Sequence, residues 1–155
     1  FWPMHSHHLS DALLSARRAV IYDNTFNTSS YDLKLGVFSV VSKDGRTRLL
    51  ACSLLRHEDE ESFKWVMTSF LEIYGVTPAV VLTDGDPWLS RAIASVFDGS
   101  VHLLCVWHLA NNVKKHIKGC FGVVGRGKAS AAWHAWFSAF WRVLFQTEEA
   151  TRDTF

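Results

Sequence analysis

The stretch Ala79-Val80-Val81-Leu82-Thr83-Asp84-Gly85-Asp86-Pro87-Trp88-Leu89 sets a strand, an acidic residue and a helix start side by side. Pro78 is followed by a short apolar run of β-formers, which reads as a buried strand over 79–83 with Asp84 at its end. Pro87 suits the first position of a helix, with Asp86 as its N-cap. Trp88, Leu89, Ala92, Ile93, Val96 and Phe97 then recur at helical spacing. An earlier segment has the same beginning: Ala19-Val20-Ile21-Tyr22 is a second apolar run of β-formers, closed by Asp23-Asn24.

Working outward, Asn27 to Ser30 is turn-rich, and Leu33, Leu35, Val37, Ser39 and Val41 alternate as a strand does. Ser42-Lys43-Asp44-Gly45 supplies a hairpin turn, because Asp-Gly tolerates the positive φ such turns need. Thr47 to Arg56 forms the returning strand. His57-Glu58-Asp59-Glu60-Glu61 opens a helix whose positive N-terminal dipole suits acids. Phe63, Val66, Met67, Phe70, Leu71 and Tyr74 give that helix its apolar face, and Gly75 ends it. Val101 to Cys105 reads as a fifth strand and Trp107 to Ile117 as a helix with Leu109, Val113 and Ile117 inward. The Gly-rich segment 119–127 breaks the pattern. A last helix, Ala129 to Phe145, carries the stripe Trp133, Trp136, Phe137, Phe140, Trp141 and Leu144. The order β-β-β-α-β-α-β-α and a further helix implies an α/β fold, a mixed five-stranded sheet flanked by helices. Residues 1–16 read as the end of a preceding helical segment, 17–118 as the core, and 119–155 as a helical C-terminal part.

The chain has 155 residues, 48% hydrophobic and 20% charged, enough for one domain with a substantial core. That composition excludes wholesale disorder, and no apolar run approaches the ~20 residues of a membrane-spanning helix. Three cysteines at no framework spacing argue against a disulfide scaffold and fit a reducing compartment. No secretory leader is visible. The first residue is not Met and the last follows a helical pattern, so the chain is expected to be a piece of a longer protein. The net charge of +1 hides an asymmetry. Residues 1–98 hold 9 Lys and Arg against 12 Asp and Glu, whereas residues 99–147 hold 6 Lys and Arg and no acid. The second segment is either a solvated basic face or a surface for a polyanion.

Asp23 and Asp84 are the sharpest chemical signal. If their strands are neighbours, two carboxylates converge at one rim of the sheet, an arrangement that favours Mg²⁺ or Mn²⁺. Two such ions can activate an attacking oxygen and stabilise a leaving one in phosphoryl transfer. The plainer alternative is that each Asp caps a turn, and for Asp86 capping is the stronger reading. Cys105-Val106-Trp107-His108 pairs a thiol with an imidazole. Zinc would need four ligands, with His102, His116 and Cys120 as candidates to complete the set. His5, His7 and His8 form a metal-capable cluster in what reads as an exposed terminus. Lys114, Lys115, Lys118, Arg126, Lys128 and Arg142, interspersed with aromatics, could follow a nucleic-acid backbone while Trp stacks on bases. At helical spacing, however, the Trp stripe is first a packing surface. Glu58-Asp59-Glu60-Glu61 reads as a solvated helix start, and Glu148 and Glu149 as a surface pair or a third metal carboxylate.

Taken together, several short pieces resemble the transposase domain of Mutator-like elements (MULE). They are Ile21-Tyr22-Asp23-Asn24-Thr25-Phe26-Asn27-Thr28, Arg56-His57-Glu58-Asp59-Glu60-Glu61-Ser62-Phe63-Lys64-Trp65, Leu82-Thr83-Asp84-Gly85-Asp86, Arg91-Ala92-Ile93, and Leu104-Cys105-Val106-Trp107-His108-Leu109 with Asn112. The resemblance spans Val20 to Ile117. It implies a ribonuclease-H-like fold and the acidic-triad (DDE) chemistry of DNA transposition, with Mg²⁺ or Mn²⁺ as cofactor. Asp23 stands at the first acidic position and Asp84 at the second, 61 residues later. Cys105 and His108 match the family's Cys-x-x-His motif and, with Asp86, would form the rim or contact DNA ends. Residues 119–147 resemble the start of the family's helical insertion. Glu149, or alternatively Glu148, would be the third acid, unless it lies beyond Phe155. The resemblance further implies action on transposon ends and target DNA as a homo-oligomer in the nucleus. The related far-red-impaired-response transcription factors imply an alternative, a catalytically inactive DNA-binding regulator.

Overall fold

The computed structural model describes residues 2–3, 9–25, 33–121 and 130–145. Its elements run β1 (Trp2–Pro3), α1 (Leu9–Arg18), β2 (Ala19–Thr25), β3 (Lys34–Val41), β4 (Thr47–Leu55), α2 (Glu60–Tyr74), β5 (Val80–Thr83), α3 (Pro87–Val96), β6 (Val101–Leu104), α4 (Val106–Ile117), a 3-10 turn (Lys118–Phe121) and α5 (Ala131–Phe145). The sheet order is β1-β4-β3-β2-β5-β6. β1, β4, β3 and β2 pair antiparallel, whereas β2, β5 and β6 run parallel. This is the mixed sheet of a ribonuclease-H-like α/β fold. The expected five strands are joined by β1, whose two residues are too short for any periodicity to reveal.

Local chemistry explains most boundaries. Ser42 and Arg46 close the β3–β4 hairpin, with Gly45 at φ 76°. A register shift after Phe38 bends the same pair of strands. Asp59 caps α2 by accepting the Ser62 N–H at 2.8 Å, and Gly75, at φ 61°, returns its own N–H to the Leu71 carbonyl. Asp86 caps α3 through the N–H groups of Trp88 and Leu89, with Pro87 in the first turn. β2 departs from expectation. The polar Asp23-Asn24-Thr25 does not end the strand, because Asp23, Asn24 and Thr25 pair with Val37, Gly36 and Leu35 of the longer β3.

The core lies between the sheet and helices α2 and α3. Val20, Tyr22, Phe38, Val40 and Val81 of the sheet are buried with Phe63, Val66, Met67 and Phe70 of α2 and Leu89, Ala92 and Ile93 of α3. Each such large side chain contributes about 1.5–3 kcal/mol by leaving water. Phe38 links Tyr22 and Phe70, both at 4.6 Å between ring centroids. Among the described residues the polar Ser15, Ser53 and Thr83 are nonetheless buried.

The chain divides into two compact units, Phe1–Leu109 and Ala110–Phe155. In the second, the aromatic stripe of α5 stacks on itself at i,i+4 spacing: Trp133 on Phe137 at 5.1 Å, Trp136 on Phe140 at 5.7 Å and Trp141 on Phe145 at 5.4 Å. Phe121 joins through Trp133 and Trp136. Part of the Trp excess is thus helix packing, as its spacing suggested.

Gly36 tests the packing of the first unit. A Cβ there would fall inside contact distance of Tyr22 Oη and Ser53 Oγ, both in the buried interior. Gly36→Ala is expected to destabilise the fold by about 1–3 kcal/mol, the usual cost of overpacking. Chemical denaturation checks this; an unchanged midpoint would show that the tyrosine moves freely.

Candidate active site

The parallel register decides where the acids stand. Ala19 faces Val80, Val20 faces Val81 and Ile21 faces Leu82. Continued past the paired segment, the register carries Asp23 and Asp84, the latter one residue beyond the end of β5, to the same edge of the sheet. Both acids lie at the carboxyl end of the parallel strands, the usual position of ligand sites in sheets of this kind. β6 brings a third segment to the same edge. Cys105 N–H donates to the Thr83 carbonyl at 2.6 Å, and Cys105 starts α4 by accepting the Leu109 N–H. One turn into α4, His108 Nε2 lies 3.6 Å from Asp23 Oδ1. That is ion-pair range, too long for a hydrogen bond. Trp107, exposed, sets its ring edge-on to His108.

The electrostatics of this edge are unbalanced. No Lys or Arg among the described residues forms an ion pair with Asp23 or Asp84, whereas Asp44 and Glu60 each have two such partners. Asp23 Oδ1 is buried and, among the described residues, accepts no hydrogen bond, and His108 Nδ1 likewise has no partner there. Among the described residues Asp84 Oδ1 accepts one long bond, 3.3 Å, from the Asp86 N–H. A buried carboxylate oxygen with nothing to accept is costly. Together with the hard-oxygen donors, this makes Asp23 and Asp84 a suitable pair for a divalent cation. Among the described residues no three His, Cys, Asp or Glu side chains converge as a ligand set.

Behind the acids lies a layer of polar side chains not anticipated from the sequence. His102 Nε2 is 2.7 Å from Thr83 Oγ1, which donates to the Asp84 carbonyl. Since the hydroxyl proton is committed there, His102 is the donor and carries its proton on Nε2. Tyr22 Oη donates to Asn24 Oδ1 at 2.8 Å and lies 3.4 Å from Ser53 Oγ. Burial, and then the negative charge of Glu58, Asp84 and Asp23, push this phenol well above its ordinary range, so it stays a donor. The sequence held one cue to this layer, a glycine inside a strand at Gly36.

The other expected residues are placed as follows. Asp86 is the α3 cap described above. Lys114 and Lys115 lie on α4, both exposed, with Lys114 Nζ 4.8 Å above the Phe137 ring. Lys118 is in the 3-10 turn and Arg142 on α5. Arg126, Lys128, Glu148, Glu149 and the His5, His7 and His8 cluster lie outside the described residues.

A mixed sheet of this order, flanked by helices, defines the ribonuclease-H-like fold class. Comparison with known families narrows it: residues 19–112 match the MULE transposase domain, and the chain belongs to that family. Among curated proteins of Arabidopsis thaliana it is similar to FAR1-RELATED SEQUENCE 5, 30% identical over 103 residues (66% of this chain, 13% of that protein). It also resembles FAR-RED IMPAIRED RESPONSE 1, 29% identical over 107 residues (68% and 13%), and FAR1-RELATED SEQUENCE 11, 33% over 90 residues (57% and 13%). The chain therefore spans about an eighth of the length of these relatives.

His102 gives the edge a pH signature. Burial lowers its pKa below 6.5, and Asp84 offsets this only in part. Unfolded, the ring regains its ordinary value, so between the two pKa values the unfolded chain binds more protons and stability falls as pH falls. Thermal melts from pH 8 to 5 are expected to lose midpoint below about pH 6.5, the reference value. That loss should be shallower in His102→Gln. Equal slopes would assign the acid sensitivity elsewhere.

Proposed function

We propose that this chain is part of the catalytic core of a Mutator-like DNA transposase, cleaving and joining phosphodiesters at transposon ends with Mg²⁺ or Mn²⁺. The observation that supports the reading is the parallel pairing of Ala19–Ile21 with Val80–Leu82, which directs both strand ends to one edge of the sheet, with no Lys or Arg among the described residues paired to Asp23 or Asp84. The family membership supports it independently.

In this reading Asp23 and Asp84 hold the cation, which when bound supplies Lewis-acid activation of the attacking oxygen and stabilisation of the leaving one. The protein's part is geometric. β2 and β5 fix the two carboxylates on rigid backbone, while Thr83 and His102 fasten the Asp84 carbonyl from behind. His108 stands against Asp23 at the rim, where an imidazole contacts a phosphate or exchanges a proton at Nε2. Glu149 or Glu148 supplies the third acid. Lys114, Lys115, Lys118, Arg126 and Lys128 contact DNA phosphates, giving salt-sensitive and largely sequence-independent affinity. Action in the nucleus as a homo-oligomer on DNA belongs to the same proposal. No helix among the described residues is long and apolar enough to cross a membrane.

A second reading is favoured by the relatives, whose names attach to far-red responses and not to transposition. In it the fold is kept as a DNA-binding regulator and the acids are relics. One assay separates the two. Asp23→Asn and Asp84→Asn are each expected to reduce Mg²⁺-dependent cleavage of a labelled duplex carrying the element's ends to background, with DNA binding and melting midpoint retained. Binding without cleavage by the unsubstituted full-length protein would favour the regulator; cleavage retained in Asp84→Asn would remove the proposed chemistry.

A further inference from the structure

β2 is paired unevenly. On one side β3 continues to Thr25, whereas on the other β5 ends at Thr83, level with Tyr22. Asp23 therefore sits where the strand has a ladder on one side only, and something else must fix its orientation.

The residues on either side of Asp23 supply it. Tyr22 and Asn24 both project to the face opposite Asp23, by the two-residue period of a strand. Tyr22 Oη donates to Asn24 Oδ1 at 2.8 Å. Since the amide oxygen is taken by the phenol, the orientation of the amide is settled and its nitrogen points the other way. There Asn24 Nδ2 donates to Glu58 Oε1 at 3.3 Å, across 34 residues of sequence. Glu58 is half-buried in the segment joining β4 to α2, directly before the cap Asp59. No Lys or Arg among the described residues forms an ion pair with it, so its carboxylate is free to serve the amide. The chain Ser53–Tyr22–Asn24–Glu58 thus ties the peptide units before and after Asp23 to the buried sheet at one end and to the start of α2 at the other.

We propose that Glu58 is a positioning residue for Asp23: through Asn24 it holds the one-sided end of β2 in the orientation that lets Asp23 share a divalent cation with Asp84. The proposal rests on reading Asp23 and Asp84 as cation ligands. Glu58 does not touch the cation. It acts as outer-layer hydrogen-bond partners of metal ligands generally do, where their loss costs about 10–100-fold in metal affinity.

The test is Mn²⁺ binding by the 155-residue chain, followed by calorimetry and by the electron paramagnetic resonance of free Mn²⁺, with no DNA and no turnover. Glu58→Ala is expected to weaken Mn²⁺ binding about tenfold. Glu58→Gln, which keeps an oxygen for the Asn24 amide, restores it close to the unsubstituted value. Asn24→Ala matches Glu58→Ala, and the double variant is no weaker than either alone, as for two parts of one unit. Melting curves establish that Glu58→Ala and Glu58→Gln are equally folded. Unchanged binding in Glu58→Ala overturns the proposal. Glu58→Gln as weak as Glu58→Ala overturns it too, showing that charge and not the hydrogen bond matters, and so does additivity in the double variant. If the folded, unsubstituted chain binds no Mn²⁺ and Asp23→Asn changes nothing, the cation reading itself falls and this inference with it. Binding abolished by Asp23→Asn but indifferent to Glu58 sinks the inference alone.

Discussion

Parallel strands cannot be joined by a tight turn, so the pairing of Ala19–Ile21 with Val80–Leu82 must be secured by what lies between and over them. Two devices secure it. The β3–β4 hairpin fastens the far side of β2, and α2 and α3 cover one face of the sheet with a continuous apolar layer. A slip of one residue would turn Val20 and Tyr22 out of that layer and Asp23 into it. The burial of Val20, Tyr22 and Val81 therefore fixes the register, and the register brings Asp23 and Asp84 to the same edge of the sheet. Core packing and site geometry are here a single constraint.

The polar chain beneath the site follows from the same geometry. Ending β5 at Thr83 opens the sheet edge for the acids but leaves Asp23 with a neighbour on one side only. Tyr22 is buried in the core yet reaches a hydroxyl toward that edge, where Asn24 and Ser53 meet it. Gly36 makes room, since any larger residue at that point of β3 would collide with the phenol. On the Asp84 side Thr83, the last residue of β5, and His102 of β6 make a comparable hydrogen-bonded pair. Each acid thus has a hydrogen-bonded pair of side chains beside it, Tyr22 with Asn24 and Thr83 with His102.

Much of this was legible beforehand. Alternation in 33–41, the Asp44-Gly45 turn, the acidic start of α2, the caps Gly75 and Asp86 and the apolar runs before Asp23 and Asp84 are local signals, and the elements follow them closely. Asp86 carried two readings, and the structure puts it in the capping role. What could not be read was set by pairing between distant segments. The polar Asp23-Asn24-Thr25 looks like a turn until β3 is seen to extend beside it. Glu58 looked like one more solvated acid at a helix start, and only the bond to Asn24 distinguishes it from Glu60, which turns to Lys64 and Arg91. β1 is two residues long and has no pattern to read.

The proposed function requires β2 and β5 to deliver two carboxylates to one divalent cation. A crystal of this chain soaked in Mn²⁺, with data collected at the manganese edge, tests it most directly. An anomalous peak is expected at the carboxyl end of the parallel strands, within about 2.0–2.3 Å of oxygens from both Asp23 and Asp84, as oxygen ligands to hard cations require. Carboxylates on separated strands, or no peak between them in millimolar Mn²⁺, would contradict it.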